Sequence, residues 1–316
     1  MTGSAALDRT GRCRIDVQLD PAALNTIVVM HITAPYRLAA RVVPHLPPRV
    51  GYALCDRLGA TVGPRLPAYR HVRRNLRVLL PHASERQRQV AAQRVLAGIC
   101  KNYYDLFRFP QLPPAELVRT TIATGTANVE RALAKGRGLL MVAPHAGNYT
   151  IIFAPMLQLF DTEMLLIVEQ LPDPEIHELV NGLRHVPRVS IEPLGPNAGR
   201  AVLRALRQNQ IVLLGGDRAI AENAVTVQFF GRPTPMPSGP AALALRTGAP
   251  LLTAFTNRLP DNRSYVHLDP VLQIERSASL QDDVRDVTQK IAYIMQAYIR
   301  RDPAQWLVAE DVWPSA

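Results

Sequence analysis

Two polar side chains that follow apolar runs are the best candidates for chemistry in this sequence. His145 comes shortly after the run 139–143, and Asp217 comes directly after the run 211–216. Imidazole can act as a base near neutral pH, and a carboxylate that accepts its N–H fixes the tautomer and raises its basicity. If both runs are central parallel strands, the two side chains meet where open α/β sheets bind ligands. Alternatively, His145 only packs in a loop, and Asp217 caps a helix or pairs with Arg218.

The sequence offers no nucleophile that would turn this pair into a serine hydrolase. There is no Gly-x-Ser-x-Gly elbow, and Ser238 lies in Met-Pro-Ser-Gly-Pro, which has neither the strand nor the turn that such a serine needs. Direct attack by the hydroxyl of a bound acceptor, deprotonated by His145, fits better than an acyl-enzyme route. Gly215-Gly216 lacks the Lys-Ser/Thr of a P-loop. The three cysteines lie far apart, which indicates reduced thiols and no metal site.

The stretches that must position these residues show the pattern of an α/β protein. From residue 138 onward, apolar runs of strand length alternate with amphipathic stretches of helix length, which predicts a sheet covered by helices on both faces. The predicted strands are 139–143, 164–168, 189–194, 211–216, 225–230, 250–258 and 264–270. The predicted helices are 150–160, 174–184, 198–208, 240–247 and 280–300. The proline-rich stretch 231–240 is expected to be a loop that lines an apolar channel or belongs to the core.

The first 125 residues differ in character, being basic and helical with no predicted strand. Residues 36–62 alternate arginine with apolar residues, and three prolines between 44 and 48 split them into two helices. A longer helix is predicted from Ser84, a good N-cap, to about residue 106. Arginine flanking an apolar stripe is typical of a helix on an anionic membrane surface, and equally of an amphipathic helix packed on its own domain. We divide the chain into 1–125 and 126–316, within one compact domain.

Charge and composition limit the kinds of molecule that the protein is expected to bind. The chain has 316 residues, 47% hydrophobic, and a formal net charge of +10. This balance favours anionic lipid or a phosphorylated substrate. Nucleic acid is disfavoured, because the basic region lacks the interleaved aromatics of a single-strand groove. No apolar run reaches eighteen residues, and residues 1–16 contain acidic residues and no apolar core, so we expect neither a spanning helix nor a signal peptide.

Several short motifs, in order and over roughly residues 35–310, resemble the lysophospholipid acyltransferase family of the bacterial lipid A late acyltransferase and phosphatidylinositol mannoside acyltransferase type. The segments that carry the resemblance are Arg74-Asn75-Leu76-Arg77, Tyr103-Tyr104-Asp105-Leu106-Phe107-Arg108, His145-Ala146-Gly147-Asn148-Tyr149, Gly216-Asp217-Arg218, Phe229-Phe230-Gly231, Pro237-Ser238-Gly239-Pro240 and Thr247-Gly248-Ala249. Each motif is short, and it is their shared order that makes the resemblance specific.

The resemblance implies a glycerol-3-phosphate-acyltransferase-like mixed sheet flanked by helices, with a membrane-facing helical N-terminal region. It implies a peripheral protein on the cytoplasmic face of the cell membrane that moves an acyl group from acyl-CoA or acyl carrier protein to a lipid or glycolipid hydroxyl. Neither a resident cofactor nor a metal is implied. His145 becomes the base and Asp217 the downstream acid. The expected substrate-binding residues are Gly147, Asn148, Glu169, Arg184 and Arg218.

One position departs from the family pattern, in which an acid is the fifth residue after the histidine. Here Thr150 stands at that place. Threonine cannot carry the negative charge that stabilises an imidazolium, so Asp217 or Glu169 must supply it if the site is active. Three hypotheses follow: a membrane O-acyltransferase, a catalytically weakened relative that binds lipid, and a thioester hydrolase that uses water.

Overall fold

The computed structural model describes residues 34–219 and 224–313, together with the backbone of two short strands near the N-terminus. The start of the chain, for which we expected no signal peptide, lies mostly outside the described residues. The helices are α1 (34–42), α2 (Pro48–Thr61), α3 (Ala68–Leu79), α4 (Glu85–Arg108), α5 (Pro114–Arg119), α6 (Thr126–Leu133), α7 (Phe153–Leu159), α8 (Pro174–Leu183), α9 (Ala198–Arg207), α10 (Gly239–Thr247) and α11 (Leu280–Ile299). The strands are β1 (Ala5–Leu7), β2 (Cys13–Ile15), β3 (Thr121–Thr124), β4 (Leu139–Ala143), β5 (Met164–Val168), β6 (Val189–Pro193), β7 (Ile211–Gly215), β8 (Ala224–Phe229), β9 (Arg232–Pro237), β10 (Leu251–Arg258) and β11 (Ser264–Leu268).

A seven-stranded mixed sheet forms the centre of the protein, in the order β3-β11-β10-β4-β7-β5-β6. Strands β10, β4, β7, β5 and β6 run parallel to one another, whereas β11 is antiparallel to β10 and parallel to β3. The predicted α/β fold, a mixed sheet flanked by helices, is therefore confirmed. The two strands that precede the candidate residues, β4 and β7, are neighbours near the middle of the sheet.

The continuous apolar character of β4 and β7 follows from helices on both faces of the sheet. Leu140 and Val142 pack into one core cluster, whereas Leu139 and Met141 pack into the other. Because successive side chains of a strand point to opposite faces, a strand buried on both sides must be apolar at every position. The helices α9, α10 and α11 contribute to the first cluster, and α6 and α7 contribute to the second.

The helices of the N-terminal region follow their sequence signals. Helix α1 ends before the prolines, and α2 begins at Pro48, as predicted. Ser84 caps α4 with a complete capping box, in which the Ser84 hydroxyl and the Gln87 side chain each bond the other residue's backbone N–H. Helix α2 packs on α4 so closely that a Cβ at Gly59 would lie 2.7 Å from Ala97 Cβ. None of the described helices is both long and apolar enough to cross a bilayer.

Four strands lie where none was predicted, namely the short pair β1 and β2 near the N-terminus and the strands β3 and β9. Strand β3 falls in the region expected to be wholly helical. Its β-branched residues pair in parallel with β11, so that β3 forms one edge of the sheet. Strand β9 falls in the expected proline-rich loop and forms a hairpin with β8. Its prolines, Pro233, Pro235 and Pro237, occupy alternate positions. Since the N–H groups of alternate residues in an edge strand point away from the partner, prolines are tolerated there.

Candidate active site

The parallel pairing of β4 with β7 brings the two candidate residues together. Ala143 and Gly215 are direct partners in the register, so that each candidate follows its strand by two residues. His145 Nδ1 lies 2.7 Å from Asp217 Oδ1. The backbone N–H of His145 donates to the other oxygen, Asp217 Oδ2, at 2.8 Å. Asp217 therefore holds both the ring and the backbone of the histidine, and leaves Nε2 as the ring nitrogen that does not face it.

Asp217 is a buried carboxylate whose charge is stabilised by three donors. Its side chain is fully buried, and the indole Nε1 of Trp306 lies 2.8 Å from Oδ2. Burial acts to raise the pKa of Asp217, but the charge and hydrogen bonds of His145 and the indole N–H outweigh it and hold the pKa below its usual value. An ionised Asp217 keeps the proton of neutral His145 on Nδ1, which frees Nε2 to accept another.

His145 lines a large, mostly apolar cavity of about 1130 Å³. Tyr149 lies against the imidazole edge-on, with ring centroids 5.0 Å apart. Apolar side chains from both sides of the sheet rim line the cavity, among them Leu106, Phe153, Leu166, Val180, Val202 and Leu243. A cavity of this size and lining suits a ligand with a long apolar portion whose reacting group lies at His145.

Arg184, expected to bind substrate, lies in this cavity beyond the C-terminal end of α8. Its Nε is buried and has no hydrogen-bond partner among the described residues. No carboxylate of the described residues pairs with its guanidinium. Burial lowers the pKa of Arg184, although arginine remains charged at neutral pH. The cavity thus contains a cation whose Nε–H, left without a hydrogen-bond partner by the described residues, is available for an anionic group.

Glu169 and Arg218 also line the cavity, and they bind each other. Arg218 Nη1 lies 3.2 Å from Glu169 Oε2, and Arg218 Nε bonds Glu310 near the C-terminus. Arg218 is thus engaged by two carboxylates, in contrast with Arg184. Of the two carboxylates expected to serve as the acid for His145, Asp217 is the one that contacts the imidazole, which favours Asp217 over Glu169.

Gly147 and Asn148, expected to bind substrate, do not line the cavity. Gly147 has φ of +57°, and a Cβ there would lie 2.4 Å from the carbonyl oxygen of Thr256. Asn148 is buried, and its amide donates to the Ser264 hydroxyl. Both residues belong to the turn that carries His145, residues 144–150, which we call the histidine turn. They lie on its side away from the cavity and hold it against β10 and β11.

Asn102 on α4 is a site residue that the sequence did not reveal. Its amide Nδ2 donates to the carbonyl of Gly147 at 2.7 Å, and its Oδ1 accepts from the Thr150 hydroxyl at 2.8 Å. It thereby fixes the turn that carries His145, and Thr150 acts as part of this support. The turn delays the predicted helix at 150, so that α7 begins at Phe153. Asn102 directly precedes one of the quoted motifs, but no pattern indicated that its amide turns inward.

Comparisons with known proteins extend this picture. A sequence model of the family described as bacterial lipid A biosynthesis acyltransferase matches residues 27–313. The phosphatidylinositol mannoside acyltransferase of Mycobacterium tuberculosis is 30% identical over 217 residues, which span 66% of each chain. The protein of the same name from Mycolicibacterium smegmatis is 27% identical over 224 residues, 69% of this chain and 70% of its own.

Proposed function

The chain belongs to the bacterial lipid A biosynthesis acyltransferase family, and from this membership we propose that it is a peripheral membrane O-acyltransferase. It moves a fatty acyl group from an acyl thioester, acyl-CoA or acyl carrier protein, to a hydroxyl of a lipid or glycolipid. The observation that carries the proposal is the His145–Asp217 pair at the wall of a large apolar cavity. The names of the mycobacterial relatives favour a mannosylated phosphoinositide among the acceptors to be tested.

In the proposed reaction, His145 Nε2 removes the proton of the acceptor hydroxyl as its oxygen attacks the thioester carbonyl. A C–O bond forms, and the carbonyl oxygen takes the negative charge of the tetrahedral intermediate. Collapse of this intermediate breaks the C–S bond, and the imidazolium returns its proton to the departing sulphur. Asp217 stabilises the imidazolium throughout, so that the missing acid at position 150 is replaced by a carboxylate from the neighbouring strand.

The backbone of the histidine turn leaves few donors for the oxyanion. The N–H groups of Ala146, Gly147 and Thr150 donate within the fold, to Pro144, Gln305 and Asn102. Arg184, whose Nε has no hydrogen-bond partner in the described part of the chain, is the donor that we assign to the oxyanion or to a phosphate beside it. Glu169, Arg218, Gly147 and Asn148 are kept as proposed contributors, the last two through the shape of the turn.

The membrane surface is proposed to bind the outer face of α1 and α2. Val50, Leu54, Leu58 and Val62 follow one another at four-residue spacing and are exposed, which makes an apolar stripe along α2. Exposed arginines flank this stripe at 49, 57 and 65. Exposed apolar side chains beside arginines suit the interface of an anionic membrane. The cytoplasmic face of the inner membrane is the proposed location, because the acyl thioester donors occur there.

An assay that follows both products of a labelled donor tests this function. The full chain is incubated with acyl-labelled CoA or acyl carrier protein and a panel of lysophospholipids and mannosylated phosphoinositides in mixed vesicles. We expect labelled acyl lipid, and its loss in His145→Ala. The matched control is His267→Ala, because His267 also faces a carboxylate, with Nε2 3.3 Å from Asp269 Oδ1, but lies outside the cavity.

The same assay separates the alternatives. Free labelled fatty acid without acylated lipid would indicate a thioester hydrolase that uses water. Lipid binding by the wild-type protein, with no turnover of either donor on any acceptor, would indicate a binding protein. Equal loss of transfer in His145→Ala and His267→Ala would argue against a specific role for His145.

A further inference from the structure

The segment that follows α11 lies directly behind the histidine turn. Ala146 and Trp306 form an antiparallel bridge. The N–H of Leu307 donates to the carbonyl of His145 at 2.8 Å, and the N–H of Gly147 donates to the carbonyl of Gln305 at 3.0 Å. Residues 305–307 thus pair with residues 145–147 in the manner of a short antiparallel strand. This pairing fixes where Trp306 lies relative to the histidine turn.

This pairing brings the indole of Trp306 to the buried side of Asp217. Trp306 is 2% exposed, and its Nε1–H donates to Asp217 Oδ2 at 2.8 Å. The opposite oxygen, Oδ1, accepts the bond from His145 Nδ1. One carboxylate therefore receives the imidazole on one oxygen and the indole on the other, in a place that water does not reach.

We propose that Trp306 is a positioning residue of the acyl transfer, which orients the Asp217 carboxylate and moderates the basicity that Asp217 confers on His145. The inference rests on the proposed function of His145 as the base. An indole N–H is a donor only, so it holds one carboxylate oxygen in place and withdraws part of its negative charge. Trp306 does not line the cavity, and its indole acts on the reaction through Asp217.

The test replaces the indole by a ring that cannot donate. In Trp306→Phe, we expect kcat to fall about tenfold with an unchanged KM for donor and acceptor, since a hydrogen bond to a charged group is lost at a site that substrate does not touch. The matched control is Trp313→Phe. Trp313 is also buried, lies in the same aromatic cluster, and donates its N–H to Thr234 instead, at 2.8 Å. The control is expected to retain wild-type kcat.

The pH profile distinguishes positioning from simple support of the fold. Without the indole donor, the charge on Asp217 is less dispersed and stabilises the imidazolium more strongly. The acidic limb of kcat/KM should therefore move to higher pH in Trp306→Phe and stay in place in Trp313→Phe. The other ionisable groups around the pair are Tyr149, Glu169, Arg184 and Arg218, which are the same in all these variants. An unmoved acidic limb, or a fall of kcat equal to that of Trp313→Phe, would overturn the proposal.

A readout that needs no turnover separates failure of this inference from failure of the proposed function. The chain has two tryptophans, so a ¹⁵N-labelled sample shows two indole N–H signals, which the two variants assign. We expect the Trp306 signal to be the one that moves in Asp217→Asn and to show slow hydrogen exchange. A Trp306 signal that is unaffected by Asp217→Asn would contradict the inference, whether or not acyl transfer is detected. If Trp306→Phe fails to fold, benzothienylalanine at position 306, which replaces the N–H by sulphur, serves in its place.

Discussion

The hydroxyl of Thr150 donates to Asn102 Oδ1 at a distance of 2.8 Å. The residue that stands where the family pattern has an acid is therefore bonded into the support of the histidine turn. It is also buried, so that the space around it is adapted to a small neutral donor. The carboxylate that contacts the imidazole is instead that of Asp217, two residues beyond the end of β7.

From this bond we predict that Thr150→Asp does not raise the rate of acyl transfer. A carboxylate at this position would face the acceptor oxygen of Asn102 in a buried place, where its negative charge would lack the donor-to-acceptor bond that Thr150 makes. The free energy of unfolding should fall by about 1–3 kcal/mol, the usual cost of a buried unsatisfied polar group. Steady-state kinetics and urea unfolding measure both effects. A clear gain in rate would show that Asp217 is not the operative acid.

Replacing Asp217 by asparagine should lower kcat by roughly 100- to 10,000-fold. The amide can no longer stabilise the imidazolium, and its NH₂ group would donate to Nδ1, which leaves the proton on Nε2 where the base must be free. Transfer rates under single-turnover conditions measure the loss. Glu169→Gln is the comparison, because Glu169 pairs with Arg218 rather than with the imidazole. A larger loss in Glu169→Gln than in Asp217→Asn would assign the acid to Glu169.

The lowered pKa of Asp217 predicts a contribution to the free energy of unfolding that is present near neutral pH and lost at low pH. Because the carboxyl has a lower pKa in the folded than in the unfolded chain, its contribution is present above the unfolded value of about 3.9 and is lost as the pH falls through the folded value. Asp217→Asn should therefore lose less unfolding free energy between pH 5 and pH 2 than the wild type does. Urea unfolding at these two pH values checks this difference, and equal losses in both proteins would contradict it.

Gly147→Ala should destabilise the protein strongly and abolish transfer. The residue has φ of +57°, and a methyl group would lie 2.4 Å from the carbonyl oxygen of Thr256, so the histidine turn would have to move. Gly182→Ala is the control, because no atom lies within 4 Å of a Cβ there, in the helix α8. The control is expected to be neutral or to gain up to about 1 kcal/mol. Thermal unfolding and the transfer assay report both, and a stable, active Gly147→Ala would show that the turn tolerates displacement.

Binding to anionic vesicles should depend on the apolar stripe of α2. Leu54→Ser with Leu58→Ser removes two side chains that are 45% and 37% exposed, and should weaken binding about tenfold or more. The control pair is Leu159→Ser with Leu203→Ser, which are 39% and 38% exposed on other helices. Co-sedimentation at two salt concentrations measures both contributions, because the attraction of the arginines falls with salt. Equal binding by the two double variants would place the membrane contact elsewhere.

The fold was largely predictable because strands buried on both faces leave an unmistakable apolar run. The runs before His145 and Asp217 corresponded to β4 and β7, and the topology followed from helices between them. The sequence did not predict strand β9, because a stretch rich in proline is typical of a loop. The prolines fit because their positions face away from β8, and the local sequence does not show which positions face the partner strand.

The strand pattern predicted the site residues that follow strands closely, whereas Arg184, which lies in the cavity beyond α8, was expected only from the family resemblance. His145 and Asp217 are of the first kind, and the structure brings them into contact. Asn102 and Trp306 reach the site from a helix and from the chain end, so that their roles depend on side-chain direction in the packed fold. Gly147 and Asn148 belong to the right turn, but the sequence could not show on which side of it they lie.

The most direct test of the central claim compares the chemical step with binding in a single variant. His145→Gln keeps a polar side chain but removes the base, and donor binding is measured with a non-reactive thioether analogue of the acyl thioester. We predict that the single-turnover rate of transfer falls at least about 100-fold, whereas the Kd of the analogue changes less than about threefold. A variant that transfers the acyl group at near the wild-type rate, or whose loss is explained by weaker donor binding, would contradict the assignment of His145 as the base.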